Sequence, residues 1–197
     1  MSEPVGPLVY VMGPSGAGKD SVLGRARELS GADESVIFAH RYITRPAEAG
    51  GENHVALSRS EFEMRRRSGL FAFHWTAHGN CYGIGREIHD WRRLGLIVVV
   101  SGSREHFCAA NGVDNGTLPV LITAPAERLA ERLAARGRED DAAALARLQR
   151  AQSLGVSDDR LVTIVNDGAL EQAAEDFVSL IARLRPAAPA PAVRLPA

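Results

Sequence analysis

Five short apolar runs set the rhythm of the chain: LVYVM at 8–12, VIFAH at 36–40, LIVVV at 96–100, LPVLIT at 118–123 and LVTIV at 161–165. They are near-continuous rather than strictly alternating, the pattern of strands buried on both faces of a sheet. Between and after them lie amphipathic segments rich in Ala, Leu, Arg and Glu, which predict helices over 19–29, 59–67, 86–94, 126–136, 139–153 and 169–184. Several carry end signals. Ser58 with Glu61 makes a capping box, Pro125 suits a first helical position, and Gly95 and Gly137 stand where helices end. The alternation predicts an α/β fold with a parallel sheet flanked by helices. Over 40–85 the rhythm breaks into a polar, Gly-rich insertion with shorter strand-like pieces such as LFAFHWT (70–76), expected to form a small substrate-binding subdomain. The last stretch, PAAPAPAVRLPA (186–197), has the Pro/Ala bias of a disordered tail. The chain contains no internal repeat.

Composition narrows the picture. With 197 residues, 45% of them apolar and 24% charged, residues 1–185 fit one domain with a proper core. The formal net charge of -1 gives no overall positive field, so no nucleic acid and no acidic membrane surface is expected as a partner, and any anion site must be a local cluster. No apolar run approaches the roughly 20 residues that span a bilayer. Two cysteines, Cys81 and Cys108, and a start without a basic or apolar leader predict a cytoplasmic protein, with Cys108 as a small buried hydrophobe. The sequence leaves a homodimer open.

The candidate chemistry starts where the first run ends. Gly13, Pro14, Ser15, Gly16, Ala17, Gly18 and Lys19 follow a strand and open a helix, the setting in which the pattern G-x-x-x-x-G-K has a physical meaning. Glycines let backbone N–H groups turn inward around a phosphate, the helix N-terminus adds positive potential, and Lys19 can reach the outer phosphates of a nucleotide. The pattern then calls for a hydroxyl, and Asp20 stands there instead. A second anomaly matches it. P-loop enzymes hold magnesium between that hydroxyl and a carboxylate at a neighbouring strand end, yet LIVVV runs into Ser101-Gly102-Ser103 with no acid. Magnesium accepts one or two carboxylates completed by waters and phosphates, so Asp20 is expected as the relocated metal carboxylate, with Ser21 as the fallback hydroxyl. The competing expectation is that Asp20 only caps the helix.

Several blocks together resemble the guanylate kinase family from about Leu8 to Leu184: GPSGAGK, Thr44-Arg45, HGNCYG (78–83), RLAARGRED (132–140), RLQRA (147–151) and IVND (164–167). That resemblance implies a P-loop kinase fold, ATP as donor, and an arginine-bearing lid over about 132–150. The departures point further. Phe73 stands where that family has its base-reading glutamate, Ser101 where it has an aspartate, Ile84 and Gly85 where it has small hydroxyl residues, and His54 where it has a tyrosine. With GPSGAGKDSVL, HRYITR, GGENHVALS, HGNCYGIG and SGSREH, the chain closely resembles the ribose 1,5-bisphosphate phosphokinases of phosphonate catabolism, in which the aspartate after the lysine belongs to the pattern.

That second resemblance implies transfer of the ATP γ-phosphoryl group to the 1-phosphate of ribose 1,5-bisphosphate, with Mg2+. The expected partners are a small sugar phosphate and ATP. Planar guanidinium forks suit such a substrate. Arg41 and Arg45 in the substrate loop and Arg104 after a strand end are candidates for substrate phosphate, as is the Tyr82 hydroxyl by analogy with the guanylate kinase motif. Lys19 with Arg136 and Arg147 of the lid are the catalytic candidates, and Asn166 and Asp167 fall where the resemblance places adenine. Arg132 has arginines one helical turn either side, which leaves it open to a phosphate or to solvent; Arg65, Arg66 and Arg67 read as a solvated face. Two other readings stay open: a nucleoside monophosphate kinase and a non-catalytic guanylate-kinase-like interaction module. A zinc site from His74, His78 and Cys81 is disfavoured, because a strand followed by a turn does not put the histidines on one face.

Overall fold

The computed structural model describes residues 5–31, 33–49, 52, 54–110, 112–114, 116–135 and 155–185. The predicted helix over 139–153, most of the lid and the tail lie outside them. The chain runs β1 (Leu8–Met12), α1 (Lys19–Ser30), β2 (Val36–Phe38), β3 (Arg41–Ile43), a 3-10 turn (Ala47–Ala49), β4 (His54–Ala56), α2 (Arg59–Arg67), β5 (Phe71–Ala77) and β6 (Asn80–Gly85). It continues through α3 (Glu87–Arg93), β7 (Ile97–Ser101), α4 (Arg104–Ala109), β8 (Thr117–Thr123), α5 (Ala126–Ala135), β9 (Val162–Val165) and α6 (Leu170–Ala182). All five predicted apolar runs are strands of one parallel sheet, in the order β2-β7-β1-β8-β9.

Alternation within β1 builds both faces of the core. Val9 and Val11 join Val22 and Ala26 of α1 and Ala174, Phe177 and Ile181 of α6. Leu8, Tyr10 and Met12 point the other way, to Ile88 of α3 and Phe107 of α4. Every residue of β1 is fully buried, as expected of a central parallel strand. Because the strands are parallel, β1, β7, β8 and β9 all end on one edge, and the loops leaving that edge form the crevice.

The 40–85 insertion is a second, mixed sheet, β4-β3-β6-β5. β3 pairs parallel with β4, placing Arg41 opposite His54, and antiparallel with β6, placing Ile43 opposite Tyr82. The Thr44 hydroxyl accepts from the Cys81 amide at 2.9 Å and pins that register. Half of the predicted capping box forms: Ser58 Oγ accepts from the Glu61 amide at 3.1 Å, while the Glu61 carboxylate turns to Arg65. Arg65 and Arg66 pair with Glu61 and Glu63 on the surface of α2, as a charged helix face does. No helix among the described residues is long and apolar enough to cross a membrane.

Two expectations are corrected. Cys108 is exposed. It follows Phe107, which α4 turns into the core, and the next helical position lies about 100° away, toward solvent. Asp20 does not cap α1. The N-cap is Gly18, in the left-handed region with φ 78°, and no side chain caps the helix.

Candidate active site

Where β1 ends, the chain turns through Gly13–Gly18 and enters α1. Gly16 and Gly18 both adopt positive φ, 89° and 78°, which a residue with a Cβ rarely does. Gly13 is needed for a different reason: a Cβ there would fall 2.2 Å from the Ile122 carbonyl oxygen of β8. The resulting cradle is braced from outside. Asn166, buried just past β9, donates from Nδ2 to the Ala17 carbonyl at 2.8 Å, and its own amide donates to Thr123 O at 2.7 Å. Arg132 of α5 reaches the Asn166 carbonyl at 3.2 Å and lies 3.4 to 3.5 Å from those of Ala17 and Gly16. Sequence reasoning left Arg132 to phosphate or solvent; its partners are backbone carbonyls, that of Asn166 past β9 and those of Gly16 and Ala17 in the distant phosphate loop.

This bracing makes a prediction. Asn166→Ala removes the donor to a buried carbonyl, so it should cost about 1–3 kcal/mol of stability. It should also weaken nucleotide binding by loosening the loop. Thermal melts with and without Mg-ATP check both, and an unchanged apo melting temperature would contradict the brace.

Lys19 and Asp20 open α1 and meet the end of β7. The Lys19 Nζ lies 2.5 Å from Asp20 Oδ1 and 2.5 Å from Ser101 Oγ, so one ammonium joins the Asp20 carboxylate to the strand end that lacks an acid. Arg41 Nη2 approaches the same Oδ1 at 3.4 Å. All these contacts use Oδ1. Asp20 Oδ2 accepts no hydrogen bond among the described residues. Burial pushes the Asp20 pKa up, but Lys19, Arg41 and Arg45 outweigh it and hold the carboxyl below its usual range. Burial draws the Lys19 ammonium below its ordinary value, with Asp20 acting against the shift.

The second sheet supplies the opposite wall. Arg41 and Arg45 both pair with Glu52: Arg41 through a two-pronged contact, Nε to Oε2 at 2.5 Å and Nη2 to Oε1, and Arg45 through Nη2 to Oε1 at 3.2 Å. The Nε of Arg45 is buried and has no hydrogen-bond partner among the described residues. His54 ties this loop by its backbone, with Nδ1 3.2 Å from the Glu52 carbonyl and Nε2 3.1 Å from that of Arg45. Tyr82 stacks on Trp75, with ring centroids 5.5 Å apart and planes 5° from parallel, and carries the Arg41 guanidinium 5.4 Å from its own ring centre. Burial pushes the Tyr82 phenol above its ordinary value, so the hydroxyl keeps its proton and can donate.

The two walls enclose an open cavity of about 260 Å³ lined by the loop glycines, Lys19, Asp20, Ser21, Arg41, Arg45, Glu52, Trp75, Tyr82 and Arg104. Of the candidate residues, Gly13, Pro14, Ser15, Gly16, Gly18, Lys19, Asp20, Ser21, Arg41, Arg45, Tyr82 and Arg104 line it. Ala17 is buried beneath the loop and Asn166 stands behind it, while Asp167 is exposed and does not line the cavity. Arg136 and Arg147 lie outside the described residues. Four cations, Lys19, Arg41, Arg45 and Arg104, line the cavity with three carboxylates, Asp20, Glu52 and Glu105. The balance favours an anionic guest.

Phe73 does not reach this space. It is partly buried and packs edge-on against Tyr10 at 6.0 Å and His106 at 5.5 Å, on the side of the core. Tyr10 in turn fixes the cavity rim, its hydroxyl accepting from the Ser103 amide at 3.2 Å and lying within reach of the Ser103 carbonyl and His106. A Cβ on Gly102 would fall 2.1 Å from the Tyr10 ring. Gly102→Ala should therefore cost roughly 1–3 kcal/mol by forcing that ring or the rim aside. A denaturant midpoint equal to wild type would refute the close packing.

The residues fit ATP and magnesium. The glycine cradle, the long α1 behind it and the buried Lys19 suit a polyphosphate. No cluster of three or more His, Cys, Asp or Glu able to hold a metal occurs among the described residues, so a cation here would need the phosphates as ligands. Asp20 Oδ2 offers one carboxylate oxygen for that purpose. Glu52 was not singled out from sequence. Its only signal was a carboxylate in the Gly-rich loop that follows the two candidate arginines, Arg41 and Arg45.

Comparison with known proteins gives a consistent answer. The chain is 53% identical over 174 residues to ribose 1,5-bisphosphate phosphokinase PhnN of Desulfomicrobium baculatum, covering 88% of this chain and 93% of that protein. It is 49% identical over 181 residues to the protein of the same name from Thiobacillus denitrificans, covering 92% and 94%. No family model matches the chain. Among solved structures, guanylate kinase from Anaplasma phagocytophilum superposes with a TM-score of 0.67 at 18% identity, covering 93% of this chain and 88% of that one, which establishes the P-loop kinase fold.

Proposed function

The chain belongs to the ribose 1,5-bisphosphate phosphokinase family, and we infer that its cavity is where the γ-phosphoryl group of ATP passes to the 1-phosphate of ribose 1,5-bisphosphate, giving 5-phosphoribosyl 1-diphosphate. One observation carries this reading. Lys19 and Asp20 of the phosphate loop face Arg41 and Arg45 across one cavity, and the position that would read a purine is a phenylalanine turned toward the core. Such a site is built for phosphates at both ends and for no base.

The chemistry asks little of acid or base. A phosphate monoester has its second pKa near 6, so the acceptor is largely dianionic at neutral pH and needs no proton removed. An oxygen of the 1-phosphate attacks the γ-phosphorus as the bond from that phosphorus to the β–γ bridging oxygen breaks, and ADP leaves. The residues contribute position and charge. Lys19 neutralises the phosphoryl group in transit, Arg41 and Arg45 hold the acceptor with Arg104 at the rim, and Tyr82 donates its hydroxyl to a phosphate oxygen. Asp20, through its open Oδ2, and Ser21 would hold magnesium, which when bound screens the charge of the outer phosphates. The second sheet then serves as the substrate-binding unit. Two free cysteines, one exposed, suit a reducing, cytoplasmic setting.

A coupled assay of ADP release, run with ribose 1,5-bisphosphate and with GMP, tests the reading. Turnover is expected with the bisphosphate and only marginal rates with GMP. Comparable rates with both would return the chain to the nucleoside monophosphate kinases.

A further inference from the structure

Glu52 poses a problem for a pocket meant to hold two phosphorylated molecules. It lines the main cavity, and its side chain, 11% exposed, neutralises part of the charge of Arg41 and Arg45. An ionised carboxylate only accepts hydrogen bonds, so it cannot engage a phosphate dianion and instead opposes one. Placing it between the two arginines best suited to bind phosphate would weaken phosphate binding unless the carboxylate has a partner of its own in the guest.

A purely structural role explains less than the contacts require. Arg41 has two further supports, the Asp20 carboxylate at 3.4 Å and the Tyr82 ring at 5.4 Å. The loop bearing Glu52 and Arg45 is held through backbone carbonyls by His54, and β3 is locked to β4 and β6 in register. Neither hold involves the Glu52 carboxylate. What that carboxylate adds is a charged acceptor, 11% exposed, on the second-sheet wall of the cavity, beside the two arginines. In a ribose bisphosphate whose phosphates are ionised, the groups that can donate to it are the ring hydroxyls.

We propose that Glu52 is a specificity-determining residue of the acceptor site, accepting a hydrogen bond from a ring hydroxyl of the sugar while Arg41 and Arg45 take its phosphate. This rests on the functional reading above and deepens it. The carboxylate then does two things. It rewards an acceptor that has a hydroxyl between its phosphates, and by charge it disfavours compact anions such as inorganic phosphate in the same place. A site built to bond a substrate hydroxyl rejects analogues that lack it far better than an apolar pocket does, because its own polar group is left unpaired.

The test crosses enzyme variants with acceptors: wild type, Glu52→Gln and Glu52→Asp, each with ribose 1,5-bisphosphate and its 2-deoxy and 3-deoxy analogues. For wild type, at least one deoxy analogue should lose roughly 10- to 100-fold in kcat/KM, the range of a hydrogen bond to a charged group. Glu52→Gln should shrink that discrimination to within about threefold, because the variant and the missing hydroxyl remove one shared interaction. Glu52→Asp, which keeps the charge but shortens its reach, should fall between and serves if the glutamine variant folds poorly. The proposal is overturned if wild type accepts both deoxy analogues as well as the parent, or if the variants lower all three acceptors by one common factor, the mark of a residue that only positions arginine. Wild type inert toward ribose 1,5-bisphosphate but active on another acceptor would overturn the parent reading, and this one with it.

Discussion

Lys19→Ala is expected to lower kcat for phosphoryl transfer by about 100- to 1000-fold, the scale seen when a preorganised donor is withdrawn from a developing transition state. The side chain is 11% exposed and reaches the cavity between Asp20 and Ser101. No other described cation occupies that place, since Arg41 and Arg45 approach from the second sheet and are already engaged with Glu52. The variant also leaves Asp20 with Arg41 as its remaining ionic partner, so some loss of stability accompanies the loss of rate. A melting curve separates the two. A folded Lys19→Ala enzyme with near wild-type turnover would remove the phosphate loop from the mechanism, and the kinase account with it.

Asp20→Asn is expected to raise the magnesium concentration for half-maximal activity by about 10- to 100-fold, the scale on which altering a metal's supporting groups acts. The substitution keeps the volume and removes the charge. The argument is one of supply: the strand end that usually carries the acid is Ser101, and its hydroxyl accepts from Lys19. Asp20 is the carboxylate next to Lys19 there, with Oδ2 available, whereas Glu105 at the rim accepts from the Ser103 hydroxyl. A magnesium titration of ADP release checks this. An unchanged magnesium dependence would leave Asp20 as a partner of Lys19 and Arg41 and nothing more.

How far these features could be read from the letters varies with how local their causes are. The five apolar runs became the parallel sheet because burial on both faces leaves a mark on every residue of the strand. β3 and β4, RYI and HVA, are three residues each, too short to show a period; they are strands only because they pair. α4 was hidden for a similar reason, six residues following a strand end with one apolar contact into the core. Glu52 shows the limit most clearly. It lies eleven residues from Arg41, and the two meet because the parallel register sets Arg41 opposite His54. Arg132 was seen to lack a helical carboxylate, but carbonyls of a distant loop carry no sequence signature. Asp20 was legible because it broke a motif, and Phe73 because it stood where a base reader was expected.

The central claim is a specific phosphoryl transfer, and phosphorus NMR observes it directly. The protein, Mg-ATP and ribose 1,5-bisphosphate are mixed and the spectrum followed. The account predicts loss of the ATP γ signal, growth of ADP, and a new pair of coupled diphosphate resonances on C1 of the sugar with its 5-phosphate signal retained. ADP accompanied only by inorganic phosphate, with the bisphosphate unchanged, would contradict it.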